Sequence, residues 1–357
     1  MNILFDLYTP QHFTGGAGEY IRKVFYTLLD ASKTGNRNAN VIPLVDTSLG
    51  KFAYPDLMPE ALRGMGLTVA DIAGTTLADL LPRYNIDKVF IGAAQYWGGS
   101  FDVENIVCPA VCVVHDICDE EFKVNTLREY EVAGSLYRFV KRKIGMKAIR
   151  LMPKKTGVER MQAICSMLDL NKHVKVVTVS EFSKHSLEYN LSIAPERVHV
   201  LYSPERIACV EDNIHNDDLR RLVESGRKYY LMLSANRWTK NPQKAVRAFD
   251  RFINSKEDDS QVFFVTLGYE GQPYKNQVVM PYLDESDLVH AMRHCYALVF
   301  PSFFEGFGYP PLEAMKYGKP VLASNVTSIP EVLADSAIYF SPFYESDIYK
   351  AFCPLND

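Results

Sequence analysis

The residues best suited to chemistry are two glutamates near the end of the chain. Glu305 and Glu313 are separated by seven residues, which include Gly306 and Gly308. Glycines allow a tight turn that leaves backbone N–H groups open to a ligand, and a helix that follows such a turn favours an anion at its N-terminus. Acids in loops and in first helical turns are also common without any function, so the pair alone leaves a structural interpretation open.

Short apolar segments on either side of the pair predict how it is positioned. The run 298–300 is typical of a buried parallel strand, the proline pair 310–311 predicts the start of a helix, and the run 320–323 predicts the next strand. We therefore expect Glu305 in a loop and Glu313 in the first helical turn. In parallel sheets, ligands bind at this carboxyl edge of the strands.

The segment 305–325, EGFGYPPLEAMKYGKPVLASN, resembles the donor-site signature of retaining glycosyltransferases of the GT-B fold. That large family includes bacterial mannosyl-, glucosyl- and rhamnosyltransferases. By position, the resemblance implies that Glu305 lies beside the donor sugar and that Glu313 holds the ribose hydroxyls. It also implies that three loop residues line the donor: Gly306, Phe307 and Gly308.

Two cations in the second half of the chain could bind a diphosphate. Arg237 and Lys240 follow a predicted strand at 228–234 and precede a predicted helix. Arginine can bind phosphate oxygens through two N–H groups, and lysine adds a point charge. The resemblance implies that both residues bind the donor diphosphate. It further implies that the turn at Tyr282 holds the nucleotide base.

A glycine pair near the N-terminus, Gly15 and Gly16, follows a first apolar strand and opens a helix. The lysine of a P-loop and the third glycine of a dinucleotide fingerprint are absent, so neither motif is matched. A plain flexible turn is the structural alternative. The resemblance implies that this pair approaches the donor diphosphate.

A histidine, His115, ends another predicted buried strand and is followed by Asp116. A histidine at such a place is more often structural than catalytic. The resemblance implies that His115 contacts the donor sugar. Together with three residues of the second half of the chain, it makes up the set that we expect to carry the reaction: Glu305, His115, Arg237 and Lys240.

The composition describes an ordinary globular protein that is long enough for two domains, with 357 residues, 47% hydrophobic and 23% charged. The net charge of −4 gives no general attraction to nucleic acid. Seven cysteines without a C-x-x-C pair indicate a reducing compartment rather than a disulfide framework or a zinc site. Without a signal peptide or an apolar run of about 18 residues, we expect a cytoplasmic protein.

The segment 138–155 carries eight Lys or Arg residues and no acid, interleaved with apolar side chains. It could be a solvated basic helix, or a helix that lies on an anionic membrane surface. Because the resembled family often uses lipid-linked acceptors, we favour peripheral contact with the inner face of a membrane. No companion motif supports a role with nucleic acid.

The alternation of predicted strands and helices indicates an α/β protein with doubly wound sheets. The resemblance implies the GT-B fold, with two Rossmann-like domains facing a central cleft. We expect an acceptor-side domain at 1–205 with a basic helical insert at about 121–170, a linker at 206–227, and a nucleotide-sugar-binding domain at 228–357. The last domain ends before the final helices that are usual in the family.

The resemblance implies transfer of a hexose, with retention of the anomeric configuration. We expect mannose from GDP-mannose and, as acceptor, a growing, lipid-linked surface polysaccharide such as O-antigen. No Asp-x-Asp motif lies near the proposed site, so we expect no metal and no cofactor besides the nucleotide sugar. The alternatives are a UDP- or dTDP-sugar transferase, a nucleotide-sugar 2-epimerase, or a non-catalytic glycosyltransferase-like module.

Overall fold

The computed structural model describes residues 1–12, 15–34, 39–50, 52–97, 101–118, 165–204, 211–256 and 261–354. The chain divides into two compact units after Pro204. The basic segment 138–155 and most of the predicted insert at about 121–170 lie outside the described residues.

The first unit is built on a seven-stranded sheet in which all paired strands are parallel. Its strands are β1 (Asn2–Asp6), β2 (Asn40–Val45), β3 (Ala70–Asp71), β4 (Lys88–Ile91), β5 (Ala110–Val113), β6 (Val174–Thr178) and β7 (Val198–Val200). Their order in the sheet is β3-β2-β1-β4-β5-β6-β7. The helices are α1 (Tyr8–His12), α2 (Gly16–Lys33), α3 (Pro59–Gly64), α4 (Leu77–Arg83), α5 (Ala94–Trp97) and α6 (Glu181–Leu191).

Helix α2 shows why the first unit folds in this way. Its buried side chains include Ile21, Phe25 and Leu29, which recur every four residues and so form one apolar stripe. Phe25 packs against Phe5 of β1, with ring centroids 5.3 Å apart. The stripe therefore fixes α2 against β1, an inner strand of the sheet.

The second unit is built on a six-stranded sheet, again with parallel pairs throughout. Its strands are β8 (Lys228–Met232), β9 (Val262–Leu267), β10 (Gln277–Met280), β11 (Ala297–Phe300), β12 (Val321–Ser324) and β13 (Ile338–Phe340). Their order is β10-β9-β8-β11-β12-β13. The helices are α7 (Asp217–Glu224), α8 (Pro242–Asn254), α9 (Glu285–His294), α10 (Tyr309–Lys316), α11 (Ile329–Leu333) and α12 (Glu345–Phe352).

Short 3-10 turns connect several of these elements. They lie at Thr47–Leu49, Pro55–Leu57, Val103–Asn105, Pro195–Arg197 and Trp238–Lys240. The last of them follows β8 and leads directly into α8, so it belongs to the loops at the carboxyl edge of the second sheet.

The two parallel sheets with their helices confirm the predicted α/β class. The stretch 206–227, predicted as a linker, contains α7. Leu219 of α7 is fully buried in the core of the second unit, because an apolar side chain among charged neighbours gives this short helix one face to pack. The second half of the predicted linker is therefore part of the second unit.

The prediction that Glu313 lies in the first helical turn is wrong by one residue. Helix α10 begins at Tyr309, and no acid lies in its first turn. The reason is Gly308, whose left-handed φ of 107° ends the loop one residue before the prolines. Pro310 and Pro311 then occupy the second and third positions, where a missing N–H costs no helical hydrogen bond.

Candidate functional site

The centre of the candidate site is a buried ion pair between two residues that the sequence predicted separately. Lys240 Nζ contacts Glu305 Oε1, and their side chains are only 11% and 14% exposed. The same Nζ lies 4.8 Å from the centroid of the Phe300 ring. The lysine is thus held by a carboxylate and by the face of an aromatic ring.

Sheet topology explains why these two residues meet. Strand β8 pairs with β11, with Leu231 opposite Leu298, so the loops that follow the two strands leave the sheet side by side. Lys240 ends the 3-10 turn after β8, and Glu305 lies in the loop after β11. A bond of 2.8 Å from the Phe303 N–H to the Thr239 carbonyl joins the two loops.

We call residues 301–308 the glutamate loop. Its backbone is held from the far side by Thr327 and Ser328, which follow β12. The Glu305 N–H donates to Thr327 Oγ1 at 3.2 Å. The Ser328 hydroxyl lies 2.9 Å from the Glu305 carbonyl and 3.1 Å from the Phe307 carbonyl. The loop is therefore a fixed element rather than a free connection.

Other predicted donor residues of the second unit lie in this loop, at the 3-10 turn after β8 and on α10. Arg237 is exposed at the start of the 3-10 turn, and Glu313 is half-buried on α10. Gly306 is buried, and Phe307 packs edge-on against Tyr309 with ring centroids 5.3 Å apart. All of them lie on segments that follow β8 or β11, at the carboxyl edge of the sheet.

Tyr282 follows β10 and presents a ring that is 57% exposed. Its hydroxyl donates to Asn236 Oδ1 in the loop after β8. One side of the ring lies against Gly268, where an added Cβ would stand 3.1 Å from a ring carbon and where φ is 77°. The hydroxyl end of the ring is thus held, while more than half of the residue stays exposed.

His115 of the first unit follows β5 and is half-buried. Its Nε2 lies 3.0 Å from the Gly92 carbonyl, which can only accept, so the ring donates from Nε2. The Tyr20 ring of α2 packs edge-on against it, with centroids 5.0 Å apart. Burial lowers the pKa of His115 to about 4, against the raising effect of the Gly92 carbonyl.

Asp6, which sequence reasoning missed, shares a hydrogen-bonding partner, Gly92, with His115. It is fully buried at the end of β1 and accepts hydrogen bonds from the Thr9 N–H, the Thr9 hydroxyl and the Gly92 N–H at 3.0, 2.8 and 3.0 Å. Burial raises its pKa to about 6, against these hydrogen bonds. Gly92 therefore links Asp6 to His115 through its two sides, one N–H and one carbonyl. The available signal was a carboxylate that ends an otherwise apolar strand.

The pair Gly15–Gly16 is exposed at the start of α2, and Gly15 is its N-cap. No atom would lie within 4 Å of a Cβ added at Gly15. The pair and His115 belong to the first unit, and Lys240, Glu305 and Tyr282 to the second. The predicted residues are thus divided between the two units, and Lys240 and Glu305 are in direct contact.

The lowered pKa of His115 predicts a dependence of stability on pH. The His115→Asn variant should lose less unfolding free energy between pH 7 and pH 5 than the wild type, by about 2 kcal/mol. The unfolded chain takes up a proton near pH 6.5, whereas the folded His115 resists protonation down to about pH 4, so acid favours unfolding over this interval.

Urea unfolding of both proteins at the two pH values measures this difference. The contribution of Asp6 to the pH dependence of stability has the opposite sign, because its folded pKa of about 6 lies above the ordinary value. Asp6 is present in both proteins, so this contribution cancels in the comparison. The matched control is His199→Asn, at an exposed histidine of β7. Equal losses in wild type and His115→Asn would mean that His115 is not held neutral.

Within the described part of the chain, one group of three side chains could hold a metal ion: His215, Asp284 and Asp287. Asp287 already accepts the backbone N–H groups of 215 and 216 at 2.8 and 2.7 Å. The two ring nitrogens of His215 lie 3.1 Å from carboxylate oxygens of Asp284 and Glu211. These contacts join the start of α7 to the start of α9. The expectation of a metal-independent reaction stays a prediction.

Comparison with known proteins finds a family match over part of the chain. Residues 216–347 match the family model described as "Glycosyl transferases group 1". The serotype-specific mannosyltransferase WbdA of Escherichia coli is 26% identical over 274 residues, which are 73% of this chain and 31% of WbdA. The O-antigen chain mannosyltransferase RfbU of Salmonella typhimurium is 29% identical over 185 residues, which are 48% of this chain and 47% of RfbU.

Solved structures share the fold. The Anabaena protein HepE, solved in complex with UDP and glucose, superposes on this chain with a TM-score of 0.60 at 15% identity. The superposition covers 100% of this chain and 91% of HepE. The predicted GT-B class is thereby confirmed. The chain spans about a third of the length of WbdA and about half of that of RfbU. In the described residues, none of the helices is long and apolar enough to cross a membrane.

Proposed function

We propose that this chain, whose residues 216–347 form a group 1 glycosyl transferase domain, transfers a mannosyl residue from a nucleotide diphosphate sugar to a hydroxyl of a growing surface polysaccharide. The observation that carries the proposal is the buried pair of Lys240 and Glu305 at the carboxyl edge of the second sheet. Two relatives named for mannosyl transfer support the choice of sugar. GDP-mannose is the proposed donor.

The charges of the second unit suit a departing nucleotide. Negative charge develops on the diphosphate as the bond to the sugar breaks, and fixed cations stabilise that charge. Lys240 lies beside Glu305 and Phe300 and would pass from the carboxylate to the diphosphate as the donor enters, whereas the exposed Arg237 can close on the diphosphate from solution. Glu305 then orients the sugar hydroxyls, and Glu313 holds the ribose.

The nucleotide base would stack on Tyr282. An exposed ring that is held at its hydroxyl end by Asn236 and Gly268 offers a flat surface without losing much side-chain freedom on binding. In the first unit, His115 donates a hydrogen bond from Nε2 to the Gly92 carbonyl, which leaves Nδ1 as an acceptor for a sugar hydroxyl. The Gly15–Gly16 turn would approach the diphosphate.

Retention would follow attack of the acceptor on the face that the nucleotide leaves. The bond from the anomeric carbon to the phosphate oxygen breaks, the acceptor oxygen bonds to that carbon, and its proton passes to the departing phosphate oxygen. Lys240, Arg237 and the N-terminus of α10 would supply positive charge without a divalent ion.

The acceptor would be lipid-linked. The basic segment 138–155, outside the described residues, would hold the protein on the cytoplasmic face of an anionic membrane.

The test is a ligand-dependent unfolding experiment followed by a transfer assay. A nucleotide present at about 100 times its dissociation constant should stabilise the protein by about 2.7 kcal/mol. GDP, UDP and dTDP are compared with and without magnesium, and mannosyl transfer is then measured with the matching sugar donor. Stabilisation by GDP without magnesium, with transfer to a glycan acceptor, is the expected result.

Other outcomes separate the alternatives. Stabilisation by UDP or dTDP alone would indicate a UDP- or dTDP-sugar as the donor. Turnover of the donor without an acceptor would indicate a 2-epimerase. If no nucleotide stabilises the protein, the proposed function is wrong and the chain is a non-catalytic module.

A further inference from the structure

Two neighbouring residues after β12, Thr327 and Ser328, depart from the usual preferences of their residue types, one in its backbone conformation and the other in its side-chain hydrogen bonds. Thr327 is β-branched, yet its φ of 55° lies in the left-handed region, which such side chains rarely adopt. Ser328 is the N-cap of α11, yet its hydroxyl makes no cap hydrogen bond, although capping is what serine at this position usually does.

Both side chains point at the backbone of Glu305 instead. Thr327 Oγ1 accepts the Glu305 N–H at 3.2 Å and donates to the Val326 carbonyl at 2.8 Å, so the direction of the first bond is fixed. The fully buried Ser328 hydroxyl lies 2.9 Å from the Glu305 carbonyl. The two residues hold both polar backbone groups of one glutamate.

From these contacts we infer that Thr327 and Ser328 are positioning residues for Glu305. Sites that break local preferences without a local gain are often functional, because the strain holds another group in place. Here the strained turn fixes the Glu305 backbone and thereby the place where its carboxylate meets Lys240 and the donor sugar. The inference rests on the proposed function of Glu305, but its structural part can be tested without turnover.

Three substitutions at Thr327 distinguish the effect of the hydroxyl group from the effect of the left-handed backbone. Thr327→Ser keeps the hydroxyl. Thr327→Val keeps the shape but loses the hydroxyl. Thr327→Gly loses the hydroxyl and relieves the left-handed backbone, so it should fold at least as well as the valine variant. The matched control is Ala334→Gly at the other end of α11, which relieves a φ of 45° at an exposed residue.

The first measurement is amide hydrogen exchange of the peptide that contains Glu305. We expect exchange about tenfold faster in the valine and glycine variants than in the wild type. The serine variant and Ala334→Gly should exchange like the wild type. Unchanged exchange in both variants that lack the hydroxyl would overturn the inference, whatever the activity of the protein.

The second measurement is steady-state mannosyl transfer. The valine and glycine variants should lose about 10- to 100-fold in kcat. The dissociation constant of GDP should stay within about threefold, because the proposal assigns the diphosphate to Arg237 and Lys240. Thr327→Ser should recover most of the rate. If the wild type transfers mannose and Thr327→Gly is equally fast, the positioning role is wrong while the proposed function stands; an inactive wild type contradicts the proposed function alone.

Discussion

Replacing Lys240 with methionine should lower mannosyl transfer by at least about 100-fold, the effect of removing one preorganised charge-stabilising group. The affinity for the nucleoside diphosphate should also fall. Methionine fills a similar volume without the charge, so packing against Phe300 is largely kept. Steady-state transfer and calorimetric binding of the nucleotide measure the two effects.

The same substitution should cost about 3 kcal/mol of unfolding free energy. It leaves the Glu305 carboxylate, whose side chain is 14% exposed, without its partner, and breaking a buried pair from one side is strongly destabilising. The matched control is Lys256→Met. Lys256 is an exposed lysine of the same unit that also lies over an aromatic ring, 5.0 Å from the centroid of Phe252; it should change neither stability nor transfer appreciably.

The double variant Lys240→Met/Glu305→Gln tests the cause of that loss. It removes both charges, so most of the lost stability should return while transfer stays abolished. A double variant as unstable as the single one would mean that Lys240 stabilises the unit by packing alone, and the ion pair would then be a weak basis for the proposed site.

The segments on either side of the glutamate loop were predictable from the sequence, because local physics decides them. The short apolar run at 297–300 is typical of a buried parallel strand and forms one between two others, and Gly308 supplies the left-handed φ that ends the loop. The resemblance singled out Glu305 and Lys240. Their pairing was not predicted, because it depends on β8 and β11 being neighbours in the sheet, which the order of strands along the chain does not give.

Contacts between distant segments account for the residues that were missed. Asp6 reaches Gly92 over 86 positions, and Ser328 reaches Glu305 over 23. Such hydrogen bonds satisfy the buried backbone of a loop that has no ladder partner. A sequence pattern shows a serine before a proline-containing helix as an ordinary N-cap, and only the fold shows its hydroxyl turned toward the glutamate loop.

Glu305→Gln should separate nucleotide binding from transfer, with opposite effects on the two. The Glu305 carboxylate contacts Lys240 Nζ, the group that the proposal assigns to the diphosphate. A neutral amide of the same shape releases this charge, so the nucleoside diphosphate should bind about 3- to 10-fold more tightly, which corresponds to about 1 kcal/mol. Transfer should fall by about 100-fold or more, because the sugar hydroxyls lose their charged acceptor.

The matched control for this variant is Glu345→Gln. Glu345 pairs with Arg247 at 2.7 Å in the same unit, but the side chains are 36% and 32% exposed, and an exposed pair contributes little. Calorimetry with the nucleotide and steady-state transfer should both match the wild type. Weaker nucleotide binding by Glu305→Gln would contradict the competition between carboxylate and diphosphate. Glu305 would then hold Lys240 in place for the donor. The pair would be a preformed anion site rather than one that opens as the donor enters.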